Sequence, residues 1–107
     1  MKNQNFAQRV IEVVKLIPKG RVTTYGTIAK FLGTGGSART VGYILGHSVE
    51  GMNVPAHRVV NATGLLSGKN AFGNGVMEQR LAKDGVNVLN DKVQDFKALI
   101  WDPELEL

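Results

Sequence analysis

The sequence predicts a single, mainly α-helical domain with a small β component, built as a winged-helix-like helix-turn-helix. Three observations carry that prediction. Apolar residues recur at helical spacing in three consecutive segments, each closed by glycine or proline. A proline-led, valine-rich stretch, NVPAHRVVN at residues 53–61, then interrupts the helical pattern. The chain has 107 residues, 43% hydrophobic and 21% charged, with no low-complexity run. That suffices for one core, which buries roughly 65% of the surface of an unfolded chain this long, but not for two. One domain is expected over residues 1–107, with a core at about 6–89 and a tail at 90–107.

The elements follow in order. Phe6, Val10, Val13, Val14 and Ile17 fall at i, i+4, i+7, i+8 and i+11, one helix face that Pro18 and Gly20 end. RVTTYG supplies Thr24 as an N-cap, and Tyr25, Ile28, Ala29 and Leu32 form the face of a second, short helix that Gly33 closes. GTGGS makes a tight turn. Ser37 then caps a third helix whose apolar stripe is Ala38, Val41, Ile44 and Leu45, up to Gly46. NVPAHRVVN is expected to form a short buried or edge strand carrying His57. Residues 62–75 hold Gly64, Gly68, Gly73 and Gly75 among Ser and Asn, a flexible loop of the kind that walls binding sites. A fourth helix is expected from about Val76 to Asp84, with Met77 and Leu81 inward and Gly85 as terminator. VNVL is a candidate strand, and Phe96, Ile100 and Trp101 are expected to pack back on the body. No internal repeat or linker interrupts the chain.

Composition narrows the function. Lysine and arginine outnumber the acids 13 to 9 and the pI is about 9.6, a bias that suits a nucleic-acid partner without requiring one. Asp102, Glu104 and Glu106 cluster in the tail, so the body is more basic than the total. There is no cysteine, which excludes a disulfide scaffold, a thiolate metal site and a thiol nucleophile. Glu12 and Lys15 interrupt the N-terminal apolar run, so neither a signal peptide nor a membrane partner is expected. A cytoplasmic monomer, nucleoid-associated when bound to DNA, is expected instead.

Several residues invite chemistry. Arg39 lies in the first turn of the third helix, where a cation opposes the macrodipole; it is either a solvated arginine or a contact to an anion or a base stack. Tyr25 is either a core aromatic with a wet hydroxyl or a group set against a phosphate or base. His57 reads as a hydrogen-bonded structural histidine or as a general base, and His47 sits at a helix end that favours its cation. No second ligand stands at metal-binding spacing, so neither a metal nor another cofactor is expected. No serine is placed as a nucleophile on a sharp turn.

At this point a family emerges. IPKGRVTTYGTIAKFLG, SARTVGYILG, VPAHRVVN, the following TG and LAKDGV resemble, in order and spacing, the DNA-binding domain of the O6-alkylguanine-DNA alkyltransferases over about residues 6–86. In those enzymes the residue between the proline and the histidine is the cysteine that accepts the alkyl group; here it is Ala56. Chains with this domain and another residue at that place form the alkyltransferase-like proteins, which this sequence resembles over nearly its whole length. Many of them have tryptophan there, so alanine is a departure that is expected to leave a roomier pocket.

The resemblance implies roles. Arg39 matches the arginine finger that enters the base stack from the minor groove, and Tyr25 the tyrosine that presses on the adjoining phosphate as the base rotates out. Ser37, Ala38 and Thr40 match the small residues that permit close approach. Tyr25, Pro55, Ala56, Ser67 and Phe72 match the pocket around the flipped base, and His57 and Asp84 the relay that activates the cysteine, left here with a structural role. Ser48 stands where the enzymes usually have an asparagine. The implied function is a non-enzymatic sensor that binds O6-alkylguanine in duplex DNA and marks it for nucleotide excision repair proteins. An adduct that buries ~40 Å² more apolar surface beside Ala56 would gain about 1 kcal/mol. Two rivals are a helix-turn-helix transcription regulator reading sequence in the major groove, which ARTVGYILG equips poorly, and a hydrolase using His57 on a flipped base.

Overall fold

The first helix, α1 (Phe6–Lys15), starts at a capping box. Asn5 Oδ1 accepts from the Gln8 amide at 2.8 Å, and Gln8 Oε1 accepts from the Asn5 amide at 3.3 Å. The computed structural model in which it is seen describes residues 5–33, 37–47 and 52–107. Val10, Val13 and Val14 are buried on one face of α1, and Ile17 is buried in the turn beyond it. Arg9 donates to the Leu32 carbonyl at 3.2 Å, fixing α1 against the end of the next helix.

Thr23–Thr24 form the short strand β1, and Thr24 also caps α2 (Tyr25–Leu32), its Oγ1 accepting from the Thr27 amide at 3.0 Å. Gly33 ends α2 in the left-handed region at φ 61°, its amide bonded to the Ala29 carbonyl. Both boundaries are those the sequence predicts. In α3 (Ala38–His47), Ser37 Oγ accepts from the Thr40 amide at 3.2 Å, and Val41, Ile44 and Leu45 are buried. Ala38 corrects the predicted stripe. It is exposed, as is the whole first turn of α3, which stands clear of the core until Val41.

The expected strand through NVPAHRVVN is mostly a turn. Ala56–Arg58 form a 3-10 turn, and only Val59–Val60 extend as β2. Strand alternation would send the neighbours His57 and Arg58 to opposite faces; the turn lets both reach one carboxylate, described below. β2 pairs in parallel with β1, Thr23 opposite Val59 and Thr24 opposite Val60. This pairing places the proline-led motif beside the start of α2.

Residues 61–75 are more tightly held than the sequence suggests. Asn61 Oδ1 accepts from the Thr63 and Leu65 amides, both at 2.9 Å, Leu66 is buried, and Lys69–Ala71 form a second 3-10 turn. α4 (Val76–Lys83) buries Met77 and Leu81, and Asp84 caps its end. β3 (Val88–Leu89) and β4 (Lys92–Val93) form an antiparallel hairpin whose connecting Asn90 and Asp91 have φ of 53° and 62°, as a type I′ turn requires. α5 (Phe96–Leu99) and α6 (Pro103–Glu106) complete the chain.

The core has two parts. One joins α1, α2 and α3 with Val54, Ala56, Val59 and Trp101; the other gathers Val22, Val60, Leu66, Met77, Leu81, Val86 and Val93, and Phe72 packs against both. The tail closes the first part. The Val22 amide donates to the Leu99 carbonyl at 3.1 Å and the Trp101 amide to the Val22 carbonyl at 2.7 Å, which seats the indole at 2% exposure. Among the described residues no helix is long and apolar enough to cross a membrane. Trp101→Ala is expected to lower unfolding stability by about 3–5 kcal/mol, the range for emptying a buried aromatic site, read as a fall in the urea midpoint.

Candidate nucleic-acid interface

The first turn of α3 presents four exposed residues, Ser37, Ala38, Arg39 and Thr40. The hydroxyls of Ser37 and Thr40 lie 3.1 Å apart and serve the helix cap. Arg39 pairs with no carboxylate among the described residues. Its charge sits at the positive end of the helix dipole, so helix stability gives no reason for it. The charge pattern around it supports an anionic partner. Residues 13–49 contain no Asp or Glu, yet hold Lys15, Lys19, Lys30 and Arg39, besides Arg21, which is paired with Glu106.

Tyr25, the first residue of α2, packs its ring against α3 where Gly42 leaves room; a Cβ on Gly42 would lie 3.7 Å from the ring. Its hydroxyl reaches Gly68, where a Cβ would come within 2.6 Å of the phenol oxygen. Burial pushes the Tyr25 hydroxyl up from its ordinary pKa, against a smaller downward pull from a hydrogen bond with Ser67. It therefore stays protonated at neutral pH. Behind it lies a cavity of about 30 Å³ lined by Tyr25, Gly42, Leu45, Ala56, Gly68 and Phe72, with Gly46 and Ala71 at its edge.

The structure thus brings Tyr25, Ala56 and Phe72 to one cavity. Ser67 touches Tyr25 but does not line it. Pro55 does not line this cavity; it lines a separate one of about 460 Å³ with Lys15, His57, Arg58 and Arg80. The cavity beside Ala56 is small in this closed form. At about 30 Å³ it has room for water but not for a purine base. Phe72 is held in turn by the Arg80 guanidinium, 5.5 Å from its ring centre. Ser48 lies outside the described residues.

His57 and Asp84 meet as expected, but as part of a larger set. His57 Nε2 donates to Asp84 Oδ2 at 2.9 Å, and Arg58 donates to the same carboxylate through Nε at 2.8 Å and Nη2 at 3.2 Å. Arg58 Nη1 also donates to the Ile17 carbonyl at 2.9 Å. Burial alone would push the Asp84 carboxyl up, yet the bonds from Arg58 and His57, with their charges, bring it below its ordinary value. Burial depresses His57, aided by the charges of Arg58 and Arg80 and opposed by Asp84. His57 Nδ1 is buried without a partner, and the residue beside it is a methyl where a nucleophile would stand. Among the described residues no group of three or more His, Asp or Glu could hold a metal ion.

Comparison with known proteins agrees with this geometry. The family described as 6-O-methylguanine DNA methyltransferase, DNA binding domain, matches residues 5–86. The DNA base-flipping protein of Escherichia coli is 40% identical over 103 residues, spanning 94% of this chain and 78% of that protein. Alkyltransferase-like protein 1 of Schizosaccharomyces pombe is 32% identical over 108 residues, spanning 96% of this chain and all of its own. A crystal structure of S. pombe Atl1 in complex with damaged DNA containing O6-carboxymethylguanine superposes with a TM-score of 0.83 at 31% identity, covering 96% of this chain and 100% of that one.

The buried set makes stability depend on pH. The folded pKa of His57 lies below its ordinary 6.5, so its contribution is complete above that value and is lost as pH falls through the folded pKa. Asp84, below its ordinary 3.8, contributes fully above that value and is lost as pH falls further. The urea midpoint is therefore expected to drop as pH falls below 6.5, and again as it falls below 3.8. His57→Gln should flatten the first drop, and Asp84→Asn should cost about 3 kcal/mol by leaving Arg58 buried without its partner.

Proposed function

We propose that this chain, which belongs to the 6-O-methylguanine DNA methyltransferase DNA-binding-domain family, binds O6-alkylguanine in duplex DNA by turning the damaged nucleotide out of the stack. The observation that carries the reading is the family's cavity with Ala56 in its wall, in a chain without a single cysteine. Alkyl transfer by displacement needs a soft anionic nucleophile in line with the alkyl carbon, and a thiolate is the side chain suited to it. The chain is not an alkyltransferase. The lesion is held and left unchanged.

Each part has a role in this reading. Arg39 enters the stack from the minor groove and fills the space of the flipped base, while Ser37, Ala38 and Thr40 allow the close approach. Tyr25 presses on the adjoining phosphate. The base enters between Tyr25 and the 67–72 segment, which must part because the closed cavity is far smaller than a purine. Flipping costs a few kcal/mol, less where alkylation has weakened the pair, and that difference favours the lesion. His57 and Asp84 hold the motif in place. A protein that cannot repair what it holds must pass it on; we assign the next step to nucleotide excision repair proteins recruited to a cytoplasmic, nucleoid-bound monomer. The names of the Escherichia coli relative and of the Atl1 complex with damaged DNA support the binding step.

A gel shift at fixed salt with duplexes that carry or lack O6-methylguanine tests the reading. The modified duplex is expected to bind more tightly, and Arg39→Ala to lose on the order of tenfold or more of that affinity with the fold intact. The mass of the protein is expected to stay unchanged after incubation; a stoichiometric gain of one methyl would overturn the non-enzymatic reading.

A further inference from the structure

Tyr43 is 64% exposed, the one aromatic side chain among the described residues that lies mainly in solvent. It is not loose. Its ring stacks on His47, with centroids 4.2 Å apart and planes inclined by 21°. His47 Nδ1 lies 2.9 Å from the Tyr43 carbonyl, and a carbonyl only accepts, so Nδ1 carries the proton. Nε2 is left to face outward, an acceptor when the ring is neutral and a donor when it is charged.

The position of this pair is informative. Arg39, Tyr43 and His47 stand at i, i+4 and i+8, one exposed stripe on the side of α3 away from the buried Val41, Ile44 and Leu45. Gly42 and Gly46 face Tyr25 and Ala71 at the cavity. The stripe thus starts at the arginine beside the cavity and runs about 12 Å along the helix. No carboxylate occurs from residue 13 to residue 49, so a polyanion laid along this segment meets no like charge from it. An i, i+4 ring pair by itself adds only a few tenths of a kcal/mol to a helix and leaves unexplained why a large aromatic face is presented to water beside a free arginine.

We propose that Tyr43 and His47 form a second, lesion-independent DNA contact. The Tyr43 ring packs on the groove wall about two base steps from Arg39, since four residues of helix rise about 6 Å against 3.4 Å per base. With its ring charged, His47 donates from Nε2 to a backbone phosphate beyond it. The inference rests on α3 facing DNA as proposed above. It differs in one respect: Tyr43 and His47 grip intact and damaged duplex alike, whereas Arg39 and the cavity discriminate between them.

Titration of wild type, Tyr43→Ala, Tyr43→Phe and His47→Ala against modified and unmodified duplex at fixed salt tests this, with circular dichroism confirming equal helicity. Tyr43→Ala is expected to weaken both duplexes by about tenfold, as loss of an aromatic contact to nucleic acid does, with the ratio between them unchanged. Tyr43→Phe should retain affinity, and His47→Ala should weaken both duplexes. Unchanged affinity of Tyr43→Ala for both would overturn the proposal, and so would a loss confined to the modified duplex, which would place Tyr43 in the lesion site. Wild type without preference for the lesion would instead sink the proposed function, while parallel losses in the variants would still support the groove contact.

Discussion

Asp84 accepts hydrogen bonds from both Arg58 and His57, and Arg58 reaches on to the carbonyl of Ile17. The end of α1, the proline-led turn and the end of α4 are thereby tied through one carboxylate that is 8% exposed. Everything near the cavity depends on it. The turn could not hold Ala56 inward, nor β2 beside β1, if His57 and Arg58 were free to separate. Loss of one partner leaves the others charged or polar and buried, a far larger penalty than the net gain of the set.

That dependence gives His57 and Asp84 a role that involves no nucleophile. Their duty is mechanical and needs no thiol: with Arg58, they hold the proline-led turn against the end of α4. The Nδ1 of His57 is buried without a hydrogen-bond partner. It is the buried polar atom that a reacting group or a water would satisfy, and in this chain the adjoining side chain is a methyl.

How much could be read from the chain alone followed the range of each interaction. Thr24 and Gly33 bound α2 where expected because caps and apolar period act within one turn. The pairing of Thr23–Thr24 with Val59–Val60 joins residues 36 apart through two-residue strands, too short to leave a period of 2 in the sequence. The β3–β4 hairpin did leave a trace in Asn90 and Asp91, but its strands are equally short. At the site, the motif placed Ala56, Tyr25 and Phe72 together. The volume left to them was not legible, since it is set by the approach of Gly68, which no local pattern encodes. Ala38 misled because helical spacing marks a face without saying where its neighbours end. Tyr43 was passed over for the same reason: period alone does not separate an inward ring from an outward one.

The contact between Gly68 and the Tyr25 hydroxyl bears on fidelity. A glycine hydrogen is all that fits there, for a Cβ would press to 2.6 Å of the oxygen. In the proposed mechanism the two walls must meet between visits, and their meeting sets a toll that ordinary bases, firmly paired, rarely meet. A methyl at position 68 would press on the Tyr25 hydroxyl and hold the ring away from the 67–72 segment, so the closed form would lose its seal.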